Sequence, residues 1–473
     1  MLKNKIFSSK GRLALHGMTK TSGWKIENLW WFGLFLILLF FHSNHPLNSD
    51  EGVILNGAWN LINGRELYTD FFEFISPASF YLVFWLWKIF GAHYLAIKFF
   101  AIIIVFLSAI GIHKISQEIF KNKFNYFFPL VFILSSIYWP IINHNVFNIL
   151  FVIWAIYFFL KGLSNYLSKN FIISGLLTGL SILFLQQKGI ILLFSLASFL
   201  LILLFKEKKY QLLKLNFYFI LFSFLPLLIL LKWPLQILYE NLIIFPLFNY
   251  IETNRLPFFL FIFFFIVFLS AIWFLRKERD KKIWLLFYLQ FFLLLSALPR
   301  PDFYHISLIL FPLYSVLLIP LIKKNSFNFN FFKKSYYCLI ISLTVFVIIF
   351  PSLLIIINNS FFFYSIKNSE IIFYIENNCQ GKYLYAGPFI PGIYFETKKL
   401  NPTPYSILIT NHQTKEQFLK AREFLKKYQP TCAVLNYKIV EKFNYGKNNL
   451  VDNYILNNYK FVFQEGNTSI YKY

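Results

Sequence analysis

The feature that most limits what this chain can become is the length of its uncharged apolar stretches. Residues 124 to 160, 189 to 205 and 335 to 366 contain no Asp, Glu, Lys or Arg, and roughly 20 apolar residues suffice for a helix to cross the hydrocarbon core of a bilayer. In that core every backbone polar group has to find its partner within the protein, so such stretches are expected to be helices. Composition agrees, with 58% hydrophobic and 14% charged residues against about 25% charged in an ordinary soluble chain. The net charge of +24 sits in short Lys/Arg blocks between apolar runs and builds no single basic face. It follows the positive-inside rule, and no nucleic-acid partner is expected.

Candidate spans lie near 28–44, 95–112, 126–140, 146–160, 171–186, 189–205, 215–231, 257–275, 283–298, 303–322 and 335–357. The expected fold is therefore mainly α, a polytopic bundle of about eleven spans. The first apolar run comes after a mostly polar N-terminus and lacks a small-residue cleavage site, so it reads as a retained anchor. The run 77–91 is ambiguous. If it made a crossing of its own, the blocks KEKK (206–209) and RKERDKK (276–282) would face outward, against the charge bias. One net crossing over 77–112 leaves residues 1–27 cytoplasmic, 28–357 as the membrane domain with a first outward loop at 43–76, and 358–473 as an outward-facing soluble domain.

That first loop is acidic. It carries Asp50, Glu51, Glu66, Asp70 and Glu73 directly after a span, where acids do nothing for the positive-inside bias. Three other outward points carry polar groups at helix ends: Asn143, His144 and Asn145; Gln186, Gln187 and Lys188; and Arg300, Asp302 and His305. Ionisable groups at membrane depth are costly and tend to be functional. Singly, each also fits a snorkelling anchor or a helix cap. Together, an acid beside cations at a membrane surface suits transfer from an anionic lipid-linked donor. A carboxylate would take a proton from an acceptor hydroxyl, and Lys188 and Arg300 would stabilise the departing phosphate.

The loop SDEG (49–52) followed by NGRELYTDFFEFISPASFYLVFWLWKIFG (63–91) resembles the first extracytoplasmic loop of GT-C glycosyltransferases. That superfamily includes protein O-mannosyltransferases, lipid A aminoarabinose transferases and the RgtA/B/C/D-like proteins. The resemblance implies Asp50, the first residue of an Asp-Glu pair, as the catalytic carboxylate and general base, with Glu51 supporting it or binding the acceptor, and Tyr68 and Asp70 as loop or acceptor candidates. QQKGI (186–190) is similar to a Lys-Gly step near the donor phosphate, and RPDFYHI (300–306) to a late turn that helps form the phosphate site. Lys188, Arg300 and His305 are thereby implied in donor binding, with His144 a further candidate.

Two departures stand out. INHNVFN (142–148) lacks the second acid of many relatives, leaving Glu51, Asp70 or none in that role, and Ser76-Pro77 replaces a double proline. The implied activity is inverting transfer of a hexosyl or pentosyl unit from a polyprenyl-phosphate sugar to a lipid, glycan or protein acceptor. The implied setting is the outer face of a bacterial cytoplasmic membrane, in lipopolysaccharide or other envelope-glycan synthesis. No cofactor is implied; a divalent metal stays open, since some superfamily members use one.

From Lys367 the apolar residues fall into strand-length runs, KYLYAG (382–387), CAVLNY (432–437) and FVFQ (461–464). Between them 415–428 sets Phe418, Ala421, Phe424, Leu425 and Tyr428 on one helical face. A small α/β domain is expected there, capping the site or contacting the acceptor. Cys379 and Cys432 could pair if it faces an oxidising compartment. The competing readings are a lipid or solute transporter, which internal repeats and midplane acids would favour, and a lipid-linked glycan polymerase or ligase, which a large late basic loop would favour. None of these features is apparent in the sequence.

Overall fold

The computed structural model describes residues 20–43, 47–120, 123–137, 139–250, 278–298 and 370–473, with a few positions between 261 and 269 and His305. The spans expected at 303–322 and 335–357, most of the one at 257–275, and Arg300 and Asp302 lie outside the described residues.

The membrane part is a helical bundle: α1 (Lys20–Ser43), α2 (Ser49–Ile62), α3 (Ala78–Phe90), α4 (Tyr94–Ile119), α5 (Phe127–Ser136), α6 (His144–Asn165), α7 (Ser168–Phe184), α8 (Gln186–Glu207), α9 (Gln211–Phe224), the short α10 (Leu235–Tyr239) and α11 (Lys281–Ser296). Among the described residues, α4, α6, α8 and the stretch Gln211–Lys232 are long and apolar enough to cross a membrane. Their outer faces stay apolar, with Phe205 78%, Phe217 60% and Leu231 69% exposed, as lipid-facing positions require. Helix α3 has 13 residues, roughly 20 Å at 1.5 Å per residue. That falls short of the bilayer core of about 30 Å.

Helix packing depends on small residues and internal polar contacts. A Cβ on Gly175 or Gly179 of α7 would come within 2.4 and 2.2 Å of the Phe219 and Ser223 carbonyl oxygens of α9, so these two glycines let the backbones touch. Asn148 of α6 donates to the Ser181 carbonyl and hydroxyl oxygens at 2.7 and 2.8 Å, and Ser174 donates to the Ala155 carbonyl at 2.8 Å.

The C-terminal part is a four-stranded mixed sheet of order β1-β2-β4-β3, built from β1 (Tyr385–Gly387), β2 (Cys432–Leu435), β3 (Lys460–Glu465) and β4 (Thr468–Lys472). Helices α12 (Glu370–Asn378), α13 (Gly392–Glu396), α14 (Lys415–Tyr428) and α15 (Leu450–Asn458) accompany it. Strands β1 and β2 are parallel, which requires a crossover; α14 lies on that connection, burying Phe418, Ala421 and Leu425. A disulfide joins Cys379 to Cys432.

This domain sits on α2, the first loop and α3. The Trp59 indole donates to the Lys399 carbonyl at 3.0 Å, Arg65 to the Asn401 carbonyl at 2.9 Å, and the Phe72 amide to the Pro404 carbonyl at 2.8 Å. Phe395 stacks on Trp87 with ring centroids 4.6 Å apart. At Gly52 the fit leaves no room for a side chain, because a Cβ there would lie 2.6 Å from the Gly392 nitrogen.

Candidate active site

Asn48 caps α2, its side-chain oxygen accepting from the Asp50 amide at 2.9 Å, while Glu51 reaches back to the Asn48 amide at 3.3 Å. This reciprocal cap fixes the first helical turn and with it the direction of the half-buried Asp50. The two neighbouring acids then part. Asp50 lines a cavity of about 110 Å³, whereas Glu51 is 1% exposed, accepting from the Tyr94 hydroxyl at 3.0 Å and the Ile142 amide at 3.2 Å. Glu51 is not among the residues lining that cavity; its contacts hold the first turn of α2 against Tyr94 and Ile142.

Three helices reach the cavity by their N-terminal ends: α2 with Asp50, α6 with His144 and Asn145, and α8 with Gln186, Gln187 and Lys188. Unpaired N–H groups and the helix dipole make such ends favourable for an anion. Lys188 is 7% exposed and donates to the Asn145 side-chain oxygen at 2.9 Å. Asn143 caps α6 by accepting from the Asn145 amide at 2.8 Å. Gln186 ties α8 to the end of the first loop: its amide nitrogen donates to the Phe74 carbonyl at 2.9 Å, and its oxygen accepts from the Ser76 amide and hydroxyl at 3.2 and 3.0 Å. His305 and the end of α11, through Ser296 and Ala297, also line the cavity.

Asp50, His144, Lys188 and His305 thus meet in one cavity. Two other expected residues do not reach it. Asp70 accepts from the Glu66 amide at 2.7 Å and closes a local turn. Tyr68, in a left-handed conformation with φ of 68°, buries its ring against Trp233 and donates to the Ile75 carbonyl at 2.7 Å. Both organise the loop. Arg300 lies outside the described residues.

Three features in or around the site are not among the residues expected from sequence. Lys98, outside the cavity lining, is buried within α4, its ammonium 5.0 Å from the Tyr94 ring centroid and within the influence of the Glu51 charge; a lysine inside an apolar run is a usable signal. The C-terminal domain adds Phe389, Ile407, Ile409, His412 and Phe443 to the cavity wall, which nothing local in the sequence indicates. Glu73, in sequence only one more loop acid, is 1% exposed and bonded to that domain. Among the described residues, no group of three or more His, Cys, Asp or Glu side chains could hold a metal ion.

The resemblance to GT-C glycosyltransferases drawn from the first loop is borne out. Residues 76–233 match the model of the dolichyl-phosphate-mannose-protein mannosyltransferase family, a segment that contains His144 and Lys188 and begins after Asp50. The fold is shared with ArnT from Cupriavidus metallidurans bound to undecaprenyl phosphate, at 12% identity and a TM-score of 0.59 over 95% of this chain and 98% of that one. The apo state of the same protein matches at 10% identity, with the same TM-score and coverage. The Archaeoglobus fulgidus oligosaccharyltransferase in complex with Zn and sulfate matches at 12% identity and a TM-score of 0.54, over 94% of this chain and 73% of that one. No curated protein matches by sequence.

Proposed function

We propose that this protein is an inverting glycosyltransferase that moves a sugar from a polyprenyl-phosphate-linked donor to a lipid, glycan or protein acceptor at the outer face of the membrane. The observation that carries this reading is the meeting of one half-buried carboxyl, Asp50, with the buried ammonium of Lys188 at the N-terminal ends of three helices in a single cavity. The ArnT structure that shares this fold holds undecaprenyl phosphate, a lipid of the class that would leave here.

In the proposed reaction the Asp50 carboxylate takes the proton of an acceptor hydroxyl as that oxygen attacks the anomeric carbon. The bond from that carbon to the phosphate oxygen breaks in the same displacement, so configuration inverts. The polyprenyl phosphate departs with the bonding electron pair, its charge held by Lys188, by Arg300 and by the helix N-termini. His305 and His144 bind around the phosphate and the sugar. The reading assigns no step to a metal ion.

Residues 28–357 form the catalytic membrane domain in this reading, with 1–27 in the cytoplasm and 43–76 and 358–473 on the far side. The charge distribution supports that orientation, and so does the Cys379–Cys432 disulfide, which suits an oxidising compartment. The test is turnover by the purified protein in lipid, given a panel of polyprenyl-phosphate sugars and a membrane lipid extract. Release of free polyprenyl phosphate from one donor class is expected, and release from none of them would remove the transferase reading.

A further inference from the structure

Glu73 lies between Phe72 and Phe74, which both set their rings against Phe245, with centroids 4.8 and 5.3 Å apart. Its own side chain meets the C-terminal domain, where the Ser406 hydroxyl donates to Glu73 Oε1 at 2.6 Å. Glu73 is 1% and Ser406 8% exposed. Among the described residues no lysine or arginine forms an ion pair with Glu73, and Tyr68 is the titratable neighbour that feels its charge. Burial pushes the Glu73 carboxyl up to about 8, against the smaller opposing pull of the Ser406 hydrogen bond. At neutral pH the bond therefore joins a hydroxyl to a carboxylic acid.

The contact matters because Ser406 is continuous with the cavity wall. Ile407, Ile409 and His412 all line the reaction cavity, although Glu73 itself does not. Upstream, the Phe72 amide holds the Pro404 carbonyl at 2.8 Å and the Phe72 ring meets Tyr405 at 5.8 Å. The first loop thus grips this segment at 404 and 406, just before it becomes cavity wall.

We propose that Glu73 is a positioning residue which, through Ser406, fixes segment 404–412 as the wall that the C-terminal domain lends to the cavity, and so governs acceptor engagement from outside it. The acceptor clause rests on the transferase reading; the positioning does not. A neutral side chain with an acceptor oxygen suffices for the contact, so Glu73→Gln preserves it and Glu73→Ala removes it. The bond also sets the sign of a pH effect. A carboxyl whose folded value lies above its unfolded one supports the docked state at low pH, and that support is lost as pH rises from about 4.5 through about 8.

The experiment is hydrogen exchange on the full-length protein in lipid nanodiscs, monitoring peptides over 404–413 with β3 and β4 as the control for domain folding. Undecaprenyl phosphate binding is measured in the same samples. Glu73→Ala and Ser406→Ala are expected to raise exchange at 404–413 at least tenfold with β3, β4 and lipid binding unchanged, and the double variant to add nothing further. Wild type is expected to loosen there between pH 6.5 and 9, and Glu73→Gln to stay protected across that range. Where a membrane lipid extract supports turnover, Glu73→Ala is expected to raise the half-saturating extract concentration at least fivefold at constant maximal rate.

Unchanged exchange in both alanine variants, or equal loosening of β3 and β4, would overturn the positioning role. So would a Glu73→Gln variant as loose as Glu73→Ala. An unchanged half-saturating concentration would overturn the acceptor clause. A wild type with no turnover would instead strike the transferase reading and leave the exchange result to decide the positioning.

Discussion

The Lys188 ammonium donates to the Asn145 side-chain oxygen at 2.9 Å, joining the first turn of α8 to the first turn of α6 beside the Asp50 carboxyl. This hydrogen bond fixes the direction of the ammonium at the edge of the cavity, where the proposed reaction places the donor phosphate. Replacing Lys188 by Gln should lower turnover by about 10²–10³-fold, the usual scale for one preorganised electrostatic contact. Asn145→Ala, which removes only the aiming, should cost roughly tenfold. Initial rates at saturating donor check both, and equal effects would mean that Asn145 itself meets the substrate.

Glu51 adjoins Asp50 in the chain yet does a different job. Its oxygens accept from Tyr94, Ile142 and Asn48, so Glu51→Ala strands buried donors at about 1–3 kcal/mol each. The expected outcome is a clear fall in the thermal unfolding midpoint in detergent, with Glu51→Gln milder because it keeps an acceptor oxygen. A Glu51→Ala protein of normal stability with no turnover would instead give Glu51 a chemical role.

Gly52 faces the backbone of Gly392, and its Cβ would lie 2.6 Å from a backbone nitrogen. Backbone yields less readily than a flexible side chain. Gly52→Ala should therefore displace α13 and expose the interface, which limited proteolysis would register as faster cleavage in 388–413 than in wild type.

The Cys379–Cys432 disulfide closes a loop with a sequence separation of 53, for which chain entropy gives about 4 kcal/mol of stabilisation. Reduction, or Cys432→Ser, should lower the unfolding midpoint of the C-terminal domain and leave the helical signal of the bundle in place.

The range of the interactions decides how much of this is legible in the sequence. The helical bundle is readable because apolar length is a local property. Asp50 and Lys188 are readable because a charged group at the end of an apolar run is conspicuous by itself. The burial of Glu51 is not, since its partners Tyr94 and Ile142 lie 43 and 91 positions away. Nor are the particular residues through which the C-terminal domain, expected to cap the site, meets the first loop: Glu73 and Ser406 are separated by 333 positions, and no periodicity or spacing links them. The helix at 415–428 is visible from its apolar face, whereas β4 is not among the expected strands. Its short run TSIYK is recognisable as a strand only once it pairs with β2 and β3.

The most direct measurement is release of free polyprenyl phosphate in a single turnover, with wild type and Asp50→Asn compared on the same donor and membrane lipid extract. The substitution keeps the shape of the side chain and removes the base. Release is expected to fall by at least about 10²-fold in Asp50→Asn, with undecaprenyl phosphate binding and thermal stability unchanged. An Asp50→Asn protein that releases polyprenyl phosphate at the wild-type rate would contradict the assignment of Asp50 as the base.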